Sequence, residues 1–306
     1  MEDLPKKFKR NPVIVLGMHR SGTTLLSLLL QELDVHMGAD LCSETLESFS
    51  FMRMNDKLLK EADANWYKTR AMWNVLKDER KVDLLAADLR NQLGLGLLGE
   101  YWEEDKHGNA PKRIWGWKDP RNTVTLPIWR KIFPDAKIIY IVRNGIDVAA
   151  SLVKRNLQES ESQKSTGFKA RVLQAVTSRR QENPRYHTEK KSSITMEEAF
   201  QLWAEYLRFA DFNTGEIPDG KILRLRYEEI LIEPISSLHQ IGRFIGAKTD
   251  EGALSKIASV TKVDRRFAFV SDPKLCKFYR GHRDHLQMVK HGYDQLLEGQ
   301  ANPIVE

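Results

Sequence analysis

The chain predicts an α/β fold: a parallel sheet of about four to five strands, with helices on both faces in three layers. Three observations carry this. Val13-Ile-Val-Leu16 is a β-branched and aliphatic run that stops at Gly17; Gly22, Thr23, Thr24 and an apolar helical run follow. That is a strand, a tight loop and a helix in order. Lys137-Ile-Ile-Tyr-Ile-Val142 is a second buried-strand run, punctuated at its start by Pro134 and Asp135 and again followed by a helical pattern. Strand and helix patterns then continue to alternate, which implies right-handed crossovers and parallel pairing.

The elements follow in order. Strand one covers Val13 to Gly17 and helix one Gly22 to Leu33. A helical subregion spans 47–98, where Trp66, Tyr67, Met72, Trp73, Val75 and Leu76 recur at near-helical spacing and read as core packing. Gly94-Leu-Gly-Leu-Leu-Gly99 follows a helix pattern, so it reads as a helix end and not as a nucleotide loop. Strand two is Arg113 to Trp117, ending in a polar turn at Lys118-Asp119-Pro120-Arg121. Pro127 is placed in the first turn of the next helix. Strand three is Lys137 to Val142. A helix from Met196 to Phe212 carries Phe200, Trp203, Tyr206 and Leu207 on one face, strand four is Lys221 to Leu225, and helices fill the C-terminal third. The 306 residues, 41% of them hydrophobic, suit one domain over 1–306.

The net charge is +6, and the segment 154–191 alone holds ten Lys/Arg against four Asp/Glu, which is the whole excess. Rich in Ser, Gln and Arg, it reads as an insert or lid that would attract an anionic glycan, a lipid head group or a membrane surface; a solvated loop is the other reading. With no recognised module and few aromatics among the basic residues, nucleic acid is not an expected partner. Cys42 and Cys276 make no disulfide framework and point to a reducing compartment. The N-terminal ten residues carry no apolar run and no stretch reaches membrane-spanning length, so the expected location is cytoplasmic. Neither a His/Cys ligand spacing nor an acidic cluster suggests a metal.

The loop after strand one is built for an anion. Backbone amides at a helix N-terminus lack intrahelical partners, and the helix dipole adds partial positive charge there. Gly17 lets the chain leave the strand sharply and Gly22 lets backbone approach a ligand. Ser21, Thr23 and Thr24 add hydroxyls, and Arg20 adds a planar fork of donors suited to phosphate or sulfate oxygens. Nucleotide-hydrolysing loops place a lysine after the second glycine; here Thr23 stands there and the cation, Arg20, precedes Gly22. That points away from ATP chemistry. Arg143 ends strand three and Ser151 lies eight residues on, about two helical turns. Ligands of open parallel sheets bind at the carboxyl ends of strands, so both could meet one anion on the same edge as the loop.

Gly-Met-His-Arg-Ser-Gly-Thr-Thr-Leu-Leu resembles the 5′-phosphosulfate-binding loop of sulfotransferases that use 3′-phosphoadenosine 5′-phosphosulfate (PAPS). Arg in place of Lys before Ser-Gly-Thr-Thr resembles the Golgi and many bacterial members. A strand followed by Arg, seven residues and Ser is similar to the family's 3′-phosphate segment. The resemblance covers roughly residues 13 to 230. It implies a three-layer core like that of P-loop NTPases, with PAPS as donor, 3′,5′-ADP as product and no metal. It implies that Gly17, His19, Arg20, Ser21, Gly22, Thr23 and Thr24 hold the 5′-phosphosulfate, and Arg143 and Ser151 the 3′-phosphate. Trp117-Lys-Asp-Pro-Arg121 looks like a segment of bacterial members, which would put Lys118 and Arg121 near the donor or the acceptor. Leu225-Arg-Tyr-Glu-Glu-Ile230 resembles another family segment and reads as structural. Arg265-Arg266 and Arg280-Gly-His-Arg283 are the candidates for a late basic segment closing over the nucleotide.

An acceptor hydroxyl must lose a proton to a nearby base. Glu47, in a segment similar to one that carries the bacterial family's Glu, is the first candidate and Glu44 the second; first-turn helix carboxylates are the other reading of both. The expected acceptor is a hydroxyl on a carbohydrate or glycolipid, then on a small metabolite. A P-loop kinase or NTPase and a non-catalytic nucleotide-binding protein are the rival readings. His36, His107, His282, His285 and His291 read as surface or loop histidines.

Overall fold

The computed structural model describes residues 10–96, 98–102, 113–165, 191, 193–249 and 263–297. The first nine residues, His107 and most of the basic segment, 166–190, lie outside it.

Among the described residues the sheet has four parallel strands in the order β2-β1-β3-β4. These are β1 (Val13–Leu16), β2 (Gly116–Lys118), β3 (Lys137–Val142) and β4 (Ile222–Arg226). Val13 pairs with Gly116 on one side of β1 and with Lys137 on the other. The helices are α1 (Thr23–Glu32), α2 (Phe49–Lys60), α3 (Met72–Leu76), α4 (Glu79–Gly94), α5 (Asn122–Ile132), α6 (Gly145–Ser165), α7 (Met196–Thr214), α8 (Tyr227–Ile232), α9 (Pro234–Ile245), α10 (Pro273–His282) and α11 (Leu286–Lys290).

Strand residues alternate between two cores, as a period of two requires. Val13, Val15, Ile139, Ile141 and Leu225 pack with residues of α1, α8 and α9 on one face. Ile14, Leu16, Ile138, Tyr140 and Val142 pack with residues of α2, α4, α5, α6 and α7 on the other. The result is the expected three layers.

The expected bounds of β2 and the place of Pro127 change. β2 runs from Gly116 through Lys118, so Lys118 belongs to the strand end and not to the turn after it. The polar residues of this stretch are buried: Lys118 and Arg121 are each 1% exposed and Asp119 0%. Pro127 sits in the middle of α5 and not in its first turn, because that helix already begins at Asn122. A proline there cannot donate to the Thr123 carbonyl four residues back. Asn213 of α7 donates its Nδ2 to that oxygen at 2.7 Å instead, so the free carbonyl keeps a partner.

Elsewhere the pattern reading is close. β3 matches its expected limits, and the glycine-rich stretch after Leu93 does end α4. The basic segment begins as ordered helix, since α6 continues to Ser165. His36 lies in the connection between α1 and α2, as expected, and is half-buried there: it stacks on Trp102 at 5.0 Å and its Nε2 lies 2.9 Å from the Tyr101 carbonyl.

Candidate functional site

All four strands end at one edge of the sheet, and residues at or just after those ends meet one another. The turn after β1 is fixed from below: the Gly17 amide donates to Thr123 Oγ1 at 2.9 Å. Gly17 has φ 151°, and a Cβ there would come within 2.8 Å of the Ile141 carbonyl. Gly22 has φ 93°, and its Cβ would lie 2.2 Å from the Tyr227 ring. Only glycine fits at the second site, because a side chain would meet both a rare backbone conformation and an aromatic wall.

Gly22 leads into α1 with no side-chain cap, and the first turn of α1 holds no carboxylate. The helix dipole and the leading amides therefore remain available to an external anion. Neither the Ser21 nor the Thr23 hydroxyl caps that end. Ser21 Oγ is buried without a hydrogen-bond partner, as are His19 Nε2 and Arg143 Nε. Unpaired buried donors and acceptors at one loop are costly unless a ligand completes them, which fits an oxyanion-binding role.

Arg20 occupies left-handed backbone at φ 71°. Its Nε donates to Ser151 Oγ at 2.9 Å, tying the loop to α6. Arg143 Nη1 donates to the Arg20 carbonyl at 3.3 Å, and its guanidinium carbon lies 4.4 Å from the Tyr227 ring centroid. Trp203 Nε1 holds the turn after β3 through the Arg143 carbonyl at 3.1 Å. Burial, then the charges of Arg155, Arg143 and Arg265, push the Arg20 guanidinium below its usual range. Four arginines thus converge at the loop, a strongly positive locus suited to negative charge.

Beside it lies a buried ion pair. Lys118 Nζ meets Glu47 Oε1 at 2.8 Å, with side chains 1% and 8% exposed. Lys118 also donates to the Thr45 carbonyl, which accepts Thr24 Oγ1 at 3.2 Å. The segment carrying Glu47 is thereby pinned to the loop, while Glu44 is exposed. Arg121 is committed elsewhere: it pairs with Asp56 at 2.6 Å and with Asp119 at 2.9 Å inside the fold. Asn55 joins that network, donating to Asp119 at 2.9 Å and to Asn122 at 2.8 Å.

His19 completes the wall, with its ring edge-on to Trp66 at 5.0 Å and to Tyr206 at 6.0 Å. Burial lowers its pKa to about 3, helped by the nearby cations Arg121, Arg155 and Lys118 and opposed by Asp119. The imidazole is neutral at physiological pH.

The expected loop residues, Arg143 and Ser151 thus converge, and Glu47 and Lys118 form a pair next to them. Arg121 is brought close but is internally neutralised. Sequence reasoning misses or under-reads three residues. Arg155 follows Ser151 by four positions, so it shares that face of α6; this spacing is legible in the chain. Tyr227 reads as structural from sequence, although it lies between Gly22 and Arg143. Arg265 is one of two candidates for the late basic segment; its carbonyl accepts from Arg143 Nη2 at 3.1 Å. At the other candidate, Arg283 lies beside Asp284 at 3.8 Å.

The fold is a parallel α/β architecture in which the turn after β1, the residues after β3 and the buried Lys118–Glu47 pair meet at the carboxyl edge of the sheet. The family described as "Sulfotransferase family" matches residues 12–251, and the chain belongs to it. A "Putative protein-tyrosine sulfotransferase" of Caenorhabditis briggsae is 22% identical over 233 residues, covering 76% of this chain and 64% of that protein. The chain thus spans just under two thirds of that relative's length. Similar solved structures include a sulfotransferase from Alicyclobacillus acidocaldarius, 16% identical, with 94% of this chain and 95% of that one covered and a TM-score of 0.45. A mouse sulfotransferase complexed with PAP is 17% identical, with 82% and 65% covered and a TM-score of 0.41.

Proposed function

We propose that the protein transfers a sulfuryl group from PAPS to an acceptor hydroxyl. The observation that carries this reading is the junction of two anion pockets. Arg20 reaches Ser151, and Arg143 reaches the Arg20 backbone, so one doubly phosphorylated adenosine can span both. Gly17, His19, Arg20, Ser21, Gly22, Thr23 and Thr24 would hold the phosphosulfate end. Arg143 and Ser151 would hold the 3′-phosphate, with Tyr227, Arg155 and Arg265 around them. The donor supplies an activated sulfuryl group and a phosphate leaving group.

The protein's own groups do the rest. Arg20 and the leading amides of α1 stabilise negative charge as it develops on the leaving oxygen. Glu47 takes the acceptor proton, and Lys118 holds that carboxylate in place against the loop. Lys118 also sets a positive charge beside the reacting groups. The sulfuryl group is a monoanion, so these cations can serve without a metal.

The favoured acceptor is a hydroxyl on a carbohydrate or glycolipid, then on a small metabolite. The name of the nematode relative raises a tyrosine hydroxyl as another reading. Two free cysteines support a reducing, cytoplasmic setting. Among the described residues no helix is long and apolar enough to cross a membrane.

Calorimetry with 3′,5′-ADP against ATP, followed by an acceptor screen with labelled PAPS, tests the reading. Tight 3′,5′-ADP binding and transfer to a hydroxyl support it. Magnesium-dependent ATP turnover would establish the kinase-like rival, and nucleotide binding with no transfer to any hydroxyl the non-catalytic one.

A further inference from the structure

Asp147, in the first turn of α6, has no role in the reading above, yet its side chain is only 3% exposed. Its Oδ1 accepts the Phe269 amide at 2.9 Å. Its Oδ2 lies 3.6 Å from Arg143 Nη2, beyond a hydrogen bond, and has no hydrogen-bond partner. The same Nη2 donates to the Arg265 carbonyl at 3.1 Å. The contacts form a ring: Arg143 to Arg265, along the chain to Phe269, to Asp147, and back to Arg143.

The segment 263–271 closes this ring as a strap. It contains two short 3-10 turns, Val263–Arg265 and Ala268–Ser271. Phe267 between them stands at φ 48° and ψ 42°, a left-handed conformation that a bulky residue rarely adopts. Something must hold it. Phe269 does so on one side, fully buried and stacked on Tyr279 at 5.1 Å. Asp147 does so on the other, from the same carboxylate that faces Arg143.

We infer that Asp147 is a positioning residue that couples the strap 263–271 to the guanidinium of Arg143, so that a ligand 3′-phosphate and strap closure reinforce one another. The inference rests on the proposed placement of the 3′-phosphate at Arg143. A phosphate that fixes Arg143 also fixes the charge opposite Asp147, and hence the carboxylate holding Phe269. Coupling is reciprocal, so strap closure raises affinity for the 3′-phosphate in turn. Burial raises the Asp147 pKa, with the Arg143 charge opposing.

Hydrogen exchange of the strap in the unaltered protein tests this, together with tryptic cleavage at the exposed Arg265–Arg266 pair. The ligands are 3′,5′-ADP and 5′-AMP at equal occupancy. Expected is about tenfold slower exchange and cleavage with 3′,5′-ADP and little change with 5′-AMP. In Asp147→Ala, cleavage should lose its response to nucleotide, and the preference for 3′,5′-ADP over 5′-AMP should fall about tenfold. A merely structural aspartate would weaken both nucleotides alike. Equal strap protection by the two ligands, strap release on 3′,5′-ADP binding, or an unaltered preference in Asp147→Ala overturns the inference alone. Failure of the unaltered protein to bind 3′,5′-ADP overturns it together with the proposed function.

Discussion

Arg20 and Ser151 lie 131 residues apart in the chain and meet through a 2.9 Å hydrogen bond from Nε to Oγ. The contact joins the loop after β1 to the helix after β3, adjacent strands of the sheet. Arg20→Ala should lower transfer at least about 10²–10³-fold, the usual effect of losing one donor to a developing oxyanion. Ser151→Ala should chiefly weaken 3′,5′-ADP binding, by about tenfold, equivalent to one hydrogen bond to a charged group. Steady-state kinetics and calorimetry on both variants check this, and unchanged turnover in Arg20→Ala would refute the role given to it.

Glu47 and Lys118 should behave as a unit. Glu47→Gln should cut kcat by about 10²–10⁴-fold while nucleotide affinity stays near normal. Lys118→Met strands a buried carboxylate, which costs about 3–5 kcal/mol when one partner of a buried pair is removed. The double variant Glu47→Gln/Lys118→Met should then be more stable than Lys118→Met alone. Urea denaturation measures the difference; strict additivity would show that the two side chains are not coupled.

Gly22→Ala should abolish nucleotide binding, because a methyl group there meets the Tyr227 ring at 2.2 Å. Removing the wall with Tyr227→Ala in the same chain relieves the collision but leaves φ 93°, worth about 1 kcal/mol. Binding of 3′,5′-ADP should therefore recover only in part. Full recovery would show that backbone conformation at this position is immaterial.

His19 sets an acid limit on stability. Its pKa is near 6.5 in an unfolded chain and about 3 in the fold. Between those values the unfolded state binds a proton that the native state refuses, so stability falls as pH drops through this window. The slope contributed is up to about 1.4 kcal/mol per pH unit. His19→Gln should flatten the decline of unfolding free energy between roughly pH 6 and 4. An identical decline in both proteins would mean that His19 is readily protonated in the fold.

Much of this is written locally in the chain. The turn at 17–24 announces itself because strand, glycines and helix are contiguous, and Arg143 with Ser151 follows a strand end by fixed helical spacing. What stays hidden depends on contacts across the sheet. Lys118 lies among polar neighbours and so suggests a wet turn, until Glu47, Asp56 and Asn55 arrive from α2 and the segment before it. Tyr227 gives no sign of touching Gly22, since β4 reaches that turn only through the sheet order. Pro127 argues for a helix start because its lost hydrogen bond is repaired by Asn213, 86 positions later. Asp147 is indistinguishable by sequence from an ordinary acidic residue of a first helical turn.

Arg20 stands in left-handed backbone, which glycine tolerates far better than arginine. Selection for thermal robustness alone would therefore favour glycine at this position, and an Arg20→Gly protein should melt later while losing its chemistry. The proposed reaction and the stability of the fold therefore ask for different residues at this one position.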